Sequence, residues 1–338
     1  MKRNICLTLF LFFVFAFNCE RKVPTEEAKL WPEIEPYRTD YLKVSDIHEI
    51  YYELSGNPEG KPVFVLHGGP GAGSSPNMRR FFNPDRFLIV LHDQRGCGKS
   101  KPFGEIRQNT TQDLVEDVDR LRNHLELDQI ILFGGSWGAT LGLVYAEAYP
   151  ENVSGIVLRG IFTATKEEID HFYHGGVSKF FPETYEKFVS SLPDPNKQPL
   201  PEYLLTLIQS GDSSDRAKYS RAWAEYEIKL ASLEFPDEAM DHIFREFDPR
   251  AFALLENYYM ANDCFLKEDQ LFKQAHKIRD IPLIMVNGRY DMICPPITAY
   301  RLHRKLPKSK LIIAERSGHW MGEKNIEKAM LEAMRDFE

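Results

Sequence analysis

Gly134-Gly135-Ser136-Trp137-Gly138 fits the pattern G-x-S-x-G. Gln129 to Phe133, just before it, is a short apolar run of the buried-strand type, and Ala139 to Tyr149 reads as a helix stopped by Pro150. A serine between strand and helix sits on a sharp, strained turn, and small flanking glycines let neighbouring backbone pack closely. Its hydroxyl is presented at a helix N-terminus, where partial positive charge favours a developing anion. That context raises the pattern from a Gly-rich turn to a candidate nucleophile, Ser136.

A serine hydroxyl needs a base, and the base needs an orienting carboxylate; after such a turn the chain order is Ser, Asp/Glu, His. Of ten histidines, His319 alone follows the last strand-like run in a flexible setting, Ser317-Gly318-His319-Trp320. His303 lies in a helical stretch and is expected to face solvent. Asp291 follows the run 281–287, where a loop can aim it at His319, whereas Asp280 precedes that run, at the wrong end of a sheet. The expected triad is Ser136, Asp291 and His319. The oxyanion then needs two N–H donors. One comes from the residue after the nucleophile, Trp137, and the other from the loop His67-Gly68-Gly69-Pro70-Gly71. Gly69 is the choice there, because no side chain blocks approach. His67, Asp93 and Arg95 read as loop braces.

The elements that must position these residues alternate along the chain. Strand-like runs at 49–54, 62–66, 87–91, 129–133, 153–158, 281–286 and 310–314 are interleaved with helical stretches, one of them N-capped at Thr110 or Thr111 and the last at about 324–337. Continuous apolar strands alternating with amphipathic helices predict an α/β fold, a mostly parallel sheet covered on both faces. From about Thr163 to His276 the rhythm breaks into helical, aromatic-rich and Pro-interrupted sequence. The expected organisation is a core of 41–162 and 277–338 with a helical cap of 163–276 over the C-terminal ends of the strands, where open parallel sheets bind ligands.

At 338 residues the chain can bury a sizeable core without disulfides. The net charge is −8, with no long basic run, which argues against nucleic acid as a partner. Lys2 and Arg3 precede the apolar run Ile5 to Phe17, 13 residues long. As a helix that run spans roughly 20 Å, against a bilayer core of roughly 30 Å, so residues 1–18 read as an export signal. Cys19 follows and resembles the lipidated first residue of a bacterial lipoprotein, with 19–40 as a tether. The expectation is an exported, membrane-anchored protein of the bacterial envelope; the alternative is an ordinary cleaved signal and a secreted or periplasmic protein. Cys97, Cys264 and Cys294 require no disulfide and match no zinc spacing. Asp170-His171-x-x-His174 is read as structural, and the glycines at 68–73 lack the G-K-[ST] of a P-loop. No metal or cofactor is expected.

Five stretches taken in order carry a family resemblance: His67-Gly68-Gly69-Pro70-Gly71, Asp93-Gln94-Arg95-Gly96-Cys97-Gly98-Lys99-Ser100, Gly134-Gly135-Ser136-Trp137-Gly138-Ala139-Thr140-Leu141, Gly288-Arg289-Tyr290-Asp291 and Ser317-Gly318-His319. They resemble the proline iminopeptidases, serine aminopeptidases of the α/β-hydrolase fold that release N-terminal proline from peptides. The first three together are specific to that family and its near relatives; the last two are shared across α/β-hydrolases. The resemblance implies that cap carboxylates read the substrate's free amino terminus. Trp223-Ala224-Glu225-Tyr226-Glu227 places one at Glu227, and Leu255-Glu256-Asn257-Tyr258-Tyr259 another at Glu256. Tyr226 stands where the family commonly has Trp, and Tyr258 where it usually has His. The rival readings are an esterase or lactonase with the same triad, and a non-catalytic surface lipoprotein.

Overall fold

Strands that are apolar at consecutive positions build the centre of a sheet with two buried faces. In the computed structural model, which describes residues 29–338 apart from Asp237 and the side chain of Glu246, the sheet has eight strands. These are β1 (Arg38–Lys43), β2 (Glu49–Gly56), β3 (Lys61–Leu66), β4 (Phe87–His92), β5 (Ile130–Ser136), β6 (Val153–Ile161), β7 (Leu283–Gly288) and β8 (Lys310–Ala314). Their spatial order is β1-β2-β4-β3-β5-β6-β7-β8. The two pairings made by β2 are antiparallel, and every pairing from β4 to β8 is parallel. Phe64, Leu66, Leu132 and Leu158 face one layer, while Val63, Val65, Ile131 and Phe133 face the other. The expected export signal and Cys19 lie outside the described residues.

Helices α1 (Thr111–His124) and α2 (Trp137–Ala148) pack on the first face. Thr110 caps α1 through a reciprocal box with Asp113, satisfying two backbone donors that a helix start leaves open. Between β6 and β7, among the described residues, the chain forms only helices: α3 (Lys166–Asp170), α4 (Pro182–Ser190), α5 (Leu200–Ser210), α6 (Ser213–Ala231), α7 (Ala239–Glu246), α8 (Pro249–Met260) and α9 (Gln270–Gln274), with short 3-10 and π turns. Their centre is aromatic: Tyr173 stacks on Trp223 and Phe188 on Tyr226, each pair with centroids 4.7 Å apart. Helix α10 (Pro296–Lys305) returns to the first face, and α11 (Lys324–Arg335) covers the second.

The chain leaves β3 for β4 on one side, then crosses back to β5 on the other. The C-terminal ends of β3 and β5 therefore flank a switch point, the place where open parallel sheets leave a crevice. The loop 67–71 follows β3 and Ser136 ends β5, so both arrive at that crevice.

Two expectations need correction. The proposed tether is docked over its later part: Leu30, Trp31 and Ile34 pack on the second core, Trp31 N–H donates to the Arg80 carbonyl, and residues 38–43 form β1. Arg-Thr-Asp-Tyr-Leu-Lys shows no apolar alternation because β1 is an exposed edge strand, where charge discourages pairing with other chains. His303 is half-buried rather than solvent-facing, its Nδ1 2.8 Å from the Ser309 hydroxyl. The three described cysteines are free and buried.

Gly138, in the first turn of α2, lies so close to the end of β3 that a Cβ there would stand 2.0 Å from the Leu66 carbonyl oxygen. Gly138→Ala must push helix and strand apart, with an expected cost of about 1–3 kcal/mol. A lowered urea midpoint together with slowed Ser136 acylation is the expected result.

Candidate active site

Ser136 ends β5 and precedes α2 with φ 58° and ψ −126°, a left-handed strain that few non-glycine residues hold. The Gly138 contact makes the turn tight, and burial of almost all of α2 holds it in place. The Ser136 side chain and the buried Cys294 line the same cavity. Trp137 is fully buried, and its Nε1 donates to Gln94 Oε1 at 2.9 Å. The Gln94 side-chain amide in turn donates to the His67 carbonyl at 2.9 Å. One side chain thus ties the start of α2 to the loop after β3. A Cβ on Gly68 would stand 3.5 Å from Ser136 Cβ, so the loop after β3 runs alongside the serine.

Both ring nitrogens of His67 are engaged by backbone groups, one from the loop after β4 and one from its own loop. Nε2 accepts from Gln94 N–H at 3.0 Å, which leaves Nδ1 to donate to the Gly68 carbonyl at 3.0 Å. Asp93 accepts from Ser74 and Lys99 N–H, and Arg95 forms a two-pronged pair with Asp117 at 2.6 Å. These three side chains stabilise loops.

His319 Nδ1 and Asp291 Oδ2 are 2.8 Å apart, and Asp291 Oδ1 accepts from Ile293 and Cys294 N–H at 3.1 and 2.7 Å. With its carboxylate so held, Asp291 fixes the proton on Nδ1 and leaves Nε2 as the basic nitrogen. Burial holds the His319 pKa below its usual value against the pull of Asp291, and nearby Arg159 adds to the lowering. The ring is therefore neutral and able to accept a proton at neutral pH. It lies over Gly160 of β6, whose φ is +55° and where a Cβ would come within 2.8 Å of the ring. Gly160 precedes Ile161, the register partner of Ser136, so the imidazole lies over the strand next to the one that carries the serine.

Arg159, the residue before Gly160, was not anticipated. Its Nη1 donates to the His319 carbonyl at 2.6 Å, while its Nε is enclosed without a partner. A lone arginine in a strand gives no local signal of such a role.

The two cap carboxylates meet. Glu227 on α6 and Glu256 on α8 hydrogen-bond to each other, and Trp223 Nε1 donates to Glu256 Oε2 at 2.7 Å. The second Glu227 oxygen is enclosed without a partner. Burial pushes the Glu227 pKa up to about 7 and, together with the charge of Glu227, raises that of Glu256 well above the usual range. A pair in this state shares a proton and carries an unfilled acceptor, which suits an entering ammonium group. One cavity is lined by Gly69, Ser136, Phe172, Tyr173, Glu256 and Cys294. Glu168 also borders it, but its carboxylate is occupied by Thr163 and Thr165; Thr165-x-x-Glu168 is a capping box readable in sequence.

A family model described as alpha/beta hydrolase fold matches residues 61–325. A "Probable proline iminopeptidase" of Leptolyngbya boryana is 41% identical over 311 residues, covering 91% of this chain and 97% of that one. A "Proline iminopeptidase" of Xanthomonas citri is 43% identical over 291 residues, covering 86% and 93%. The chain belongs to the proline iminopeptidase family of α/β-hydrolases. Among solved structures, an alpha/beta hydrolase enzyme from a Medee basin deep-sea metagenome library superposes with a TM-score of 0.64 at 17% identity, covering 88% of this chain and 97% of that one. An esterase from Exiguobacterium antarcticum gives 0.61 at 20%, covering 88% and 98%. At such identities these structures establish the fold alone.

His171 Nε2 bonds the Met292 carbonyl, and His174 pairs with Asp170. Among the described residues no group of three or more His, Cys, Asp or Glu could hold a metal.

The raised carboxylate pKa values have a stability consequence. An acid whose folded pKa lies above its unfolded value binds more protons when folded, so its contribution is complete below about 4.5 and is lost as pH rises through about 7. Glu147, also raised to about 7, adds to the same trend. Glu227→Gln removes part of it: relative to wild type, the variant's melting temperature should gain progressively between pH 5 and 8, as scanning calorimetry across that range would measure.

Proposed function

We propose that this iminopeptidase-family protein is a serine aminopeptidase that releases N-terminal proline through an acyl-enzyme. The observation that carries the reading is that the nucleophile, the oxyanion loop and an amine-binding carboxylate line one cavity. In an N-terminal residue the amine nitrogen and the scissile carbonyl carbon are separated by a single Cα, a span of roughly 2.5 Å from standard bond lengths. A substrate whose chain begins at that residue presents both groups to one cavity. The walls between them, Phe162, Phe172, Met260 and Ile293, are apolar and suit the methylenes of a pyrrolidine ring.

In this reading the ammonium group is received by Glu227 and Glu256. Ser136 Oγ attacks the first carbonyl as His319 Nε2 takes its proton, and Asp291 holds the imidazolium that forms. The Gly69 and Trp137 N–H groups receive the oxyanion. His319 returns the proton to the departing amine, the shortened peptide leaves, and water enters by the same route reversed to free proline.

Hydrolysis of proline p-nitroanilide, N-acetyl-proline p-nitroanilide and a p-nitrophenyl ester, using protein without residues 1–18, tests the reading. The free-amine amide should be cleaved, its blocked analogue should not, and Ser136→Ala should abolish turnover. Glu227→Gln should cost the free-amine substrate about tenfold or more in kcat/KM, the scale of one charged hydrogen bond. Cleavage of the ester alone would favour the esterase reading.

Envelope attachment through a lipidated Cys19 is a second part of the proposal. Its support is the charged, apolar and Cys-terminated order of residues 2–19. No helix among the described residues is long and apolar enough to cross a membrane. Fatty-acid labelling in cells should mark the wild type and not Cys19→Ala.

A further inference from the structure

The loop that carries His319 is fastened to the cap as well as to the sheet. Ala231 is the last residue of α6, where helix carbonyls lack intrahelical partners. Its oxygen accepts from both His319 N–H and Trp320 N–H at 2.7 Å. Alongside, the Glu323 carboxylate forms a bridge: Oε1 accepts from Leu233 N–H at 2.8 Å, just beyond α6, and Oε2 accepts from Gly318 N–H, just before His319. Glu323 is itself held, since its N–H donates to the Trp320 carbonyl at 3.2 Å and its carbonyl accepts from Glu327 at the start of α11. On the sheet side, Arg159 grips the His319 carbonyl. The helix that ends in this junction carries Glu227 one turn earlier, at four residues from Ala231.

We propose that Glu323 is a positioning residue for catalysis, locking the end of α6 and the His319 loop into one unit so that the helix reading the substrate's amine also sets the place of the base. The amine half of this statement rests on the aminopeptidase reading; the positioning of His319 does not. Two backbone N–H groups from segments about 85 residues apart in the chain meet on one carboxylate. Hydrogen bonds to an ionised acceptor are about twice as strong as neutral ones. Without the bridge, the hydrogen bonds to Ala231 O would be left to hold the His319 loop to the end of α6, and the imidazole could drift from its place over Gly160. A base displaced by about 1 Å costs on the order of 100-fold in rate.

Glu323→Gln keeps the shape but turns one acceptor into an NH₂ facing an N–H. Its kcat for proline p-nitroanilide, normalised to titrated active sites, should fall about 10- to 100-fold, with KM within twofold of wild type. The rate at which a fluorophosphonate labels Ser136 should fall by the same factor, because that reaction needs the base but not the amine site. A residue that only supported the fold would lower the melting temperature and leave both rates per titrated site unchanged; that result would overturn the proposal, as would a rise in KM alone. Should Glu323→Gln fail to fold, Leu233→Pro removes only the cap-side donor. Leu233 is 42% exposed, and Ser232 before it is already extended, as a following proline favours. It should slow labelling in the same direction, and unchanged labelling would overturn the proposal. Wild-type protein that reacts with fluorophosphonate yet leaves proline p-nitroanilide intact would sink the aminopeptidase reading while the labelling comparison still decides the role of Glu323.

Discussion

The site depends on the first turn of α2 being pressed against the end of β3. At Gly138 the approach admits no side chain. That contact forces Ser136 into a left-handed turn, at a cost of roughly 1–3 kcal/mol. The buried body of α2 holds it there, since Leu141, Leu143 and Tyr145 each contribute about 1.5–3 kcal/mol on burial. The same contact brings the loop after β3 alongside the serine. A nucleophile, a helix N-terminus and a second N–H donor are then assembled by backbone packing, with Gln94 as the cross-brace.

The cap obeys a different logic. Its aromatic centre is dry, so carboxylates placed in it cannot both remain ionised without compensation. Glu227 and Glu256 resolve this by hydrogen-bonding to each other, with Trp223 donating to the second. A substrate ammonium can supply the compensation instead, and in such a pocket a substrate without one leaves a buried acceptor unmet. In the proposed aminopeptidase, specificity for a free amine follows from the desolvation of the pair more than from the shape of its walls. The ties from Ala231 and Glu323 to the His319 loop make this cap continuous with the catalytic machinery.

Much of the core was legible because its signals are local. The runs at 62–66, 87–91 and 129–133 are apolar at consecutive positions, as strands covered on both faces must be, and each is a strand here. The glycines around Ser136 announce a tight turn wherever they occur between strand and helix. β1 escaped notice because an exposed edge strand needs no apolar face. Glu227 and Glu256 on their own look like surface residues of helices, and only the family resemblance singled them out. Arg159, Cys294 and Glu323 carried no signal, since each matters through a contact with a segment distant in the chain.

The order of the strands from β2 onward, the strained serine turn and the presence of a base and an acid in the expected chain order were determined by the sequence alone, because each is written in neighbouring residues whose periodicity or steric size leaves few alternatives. Only the tertiary structure decided that residues 69, 136 and 256 would line one small cavity, that Glu227 and Glu256 would share a proton, and that a carboxylate at 323 would join the cap to the base. The physical reason is that burial and hydrogen-bond geometry between distant segments arise only when the chain has closed on itself, and no spacing along it encodes a distance across the fold.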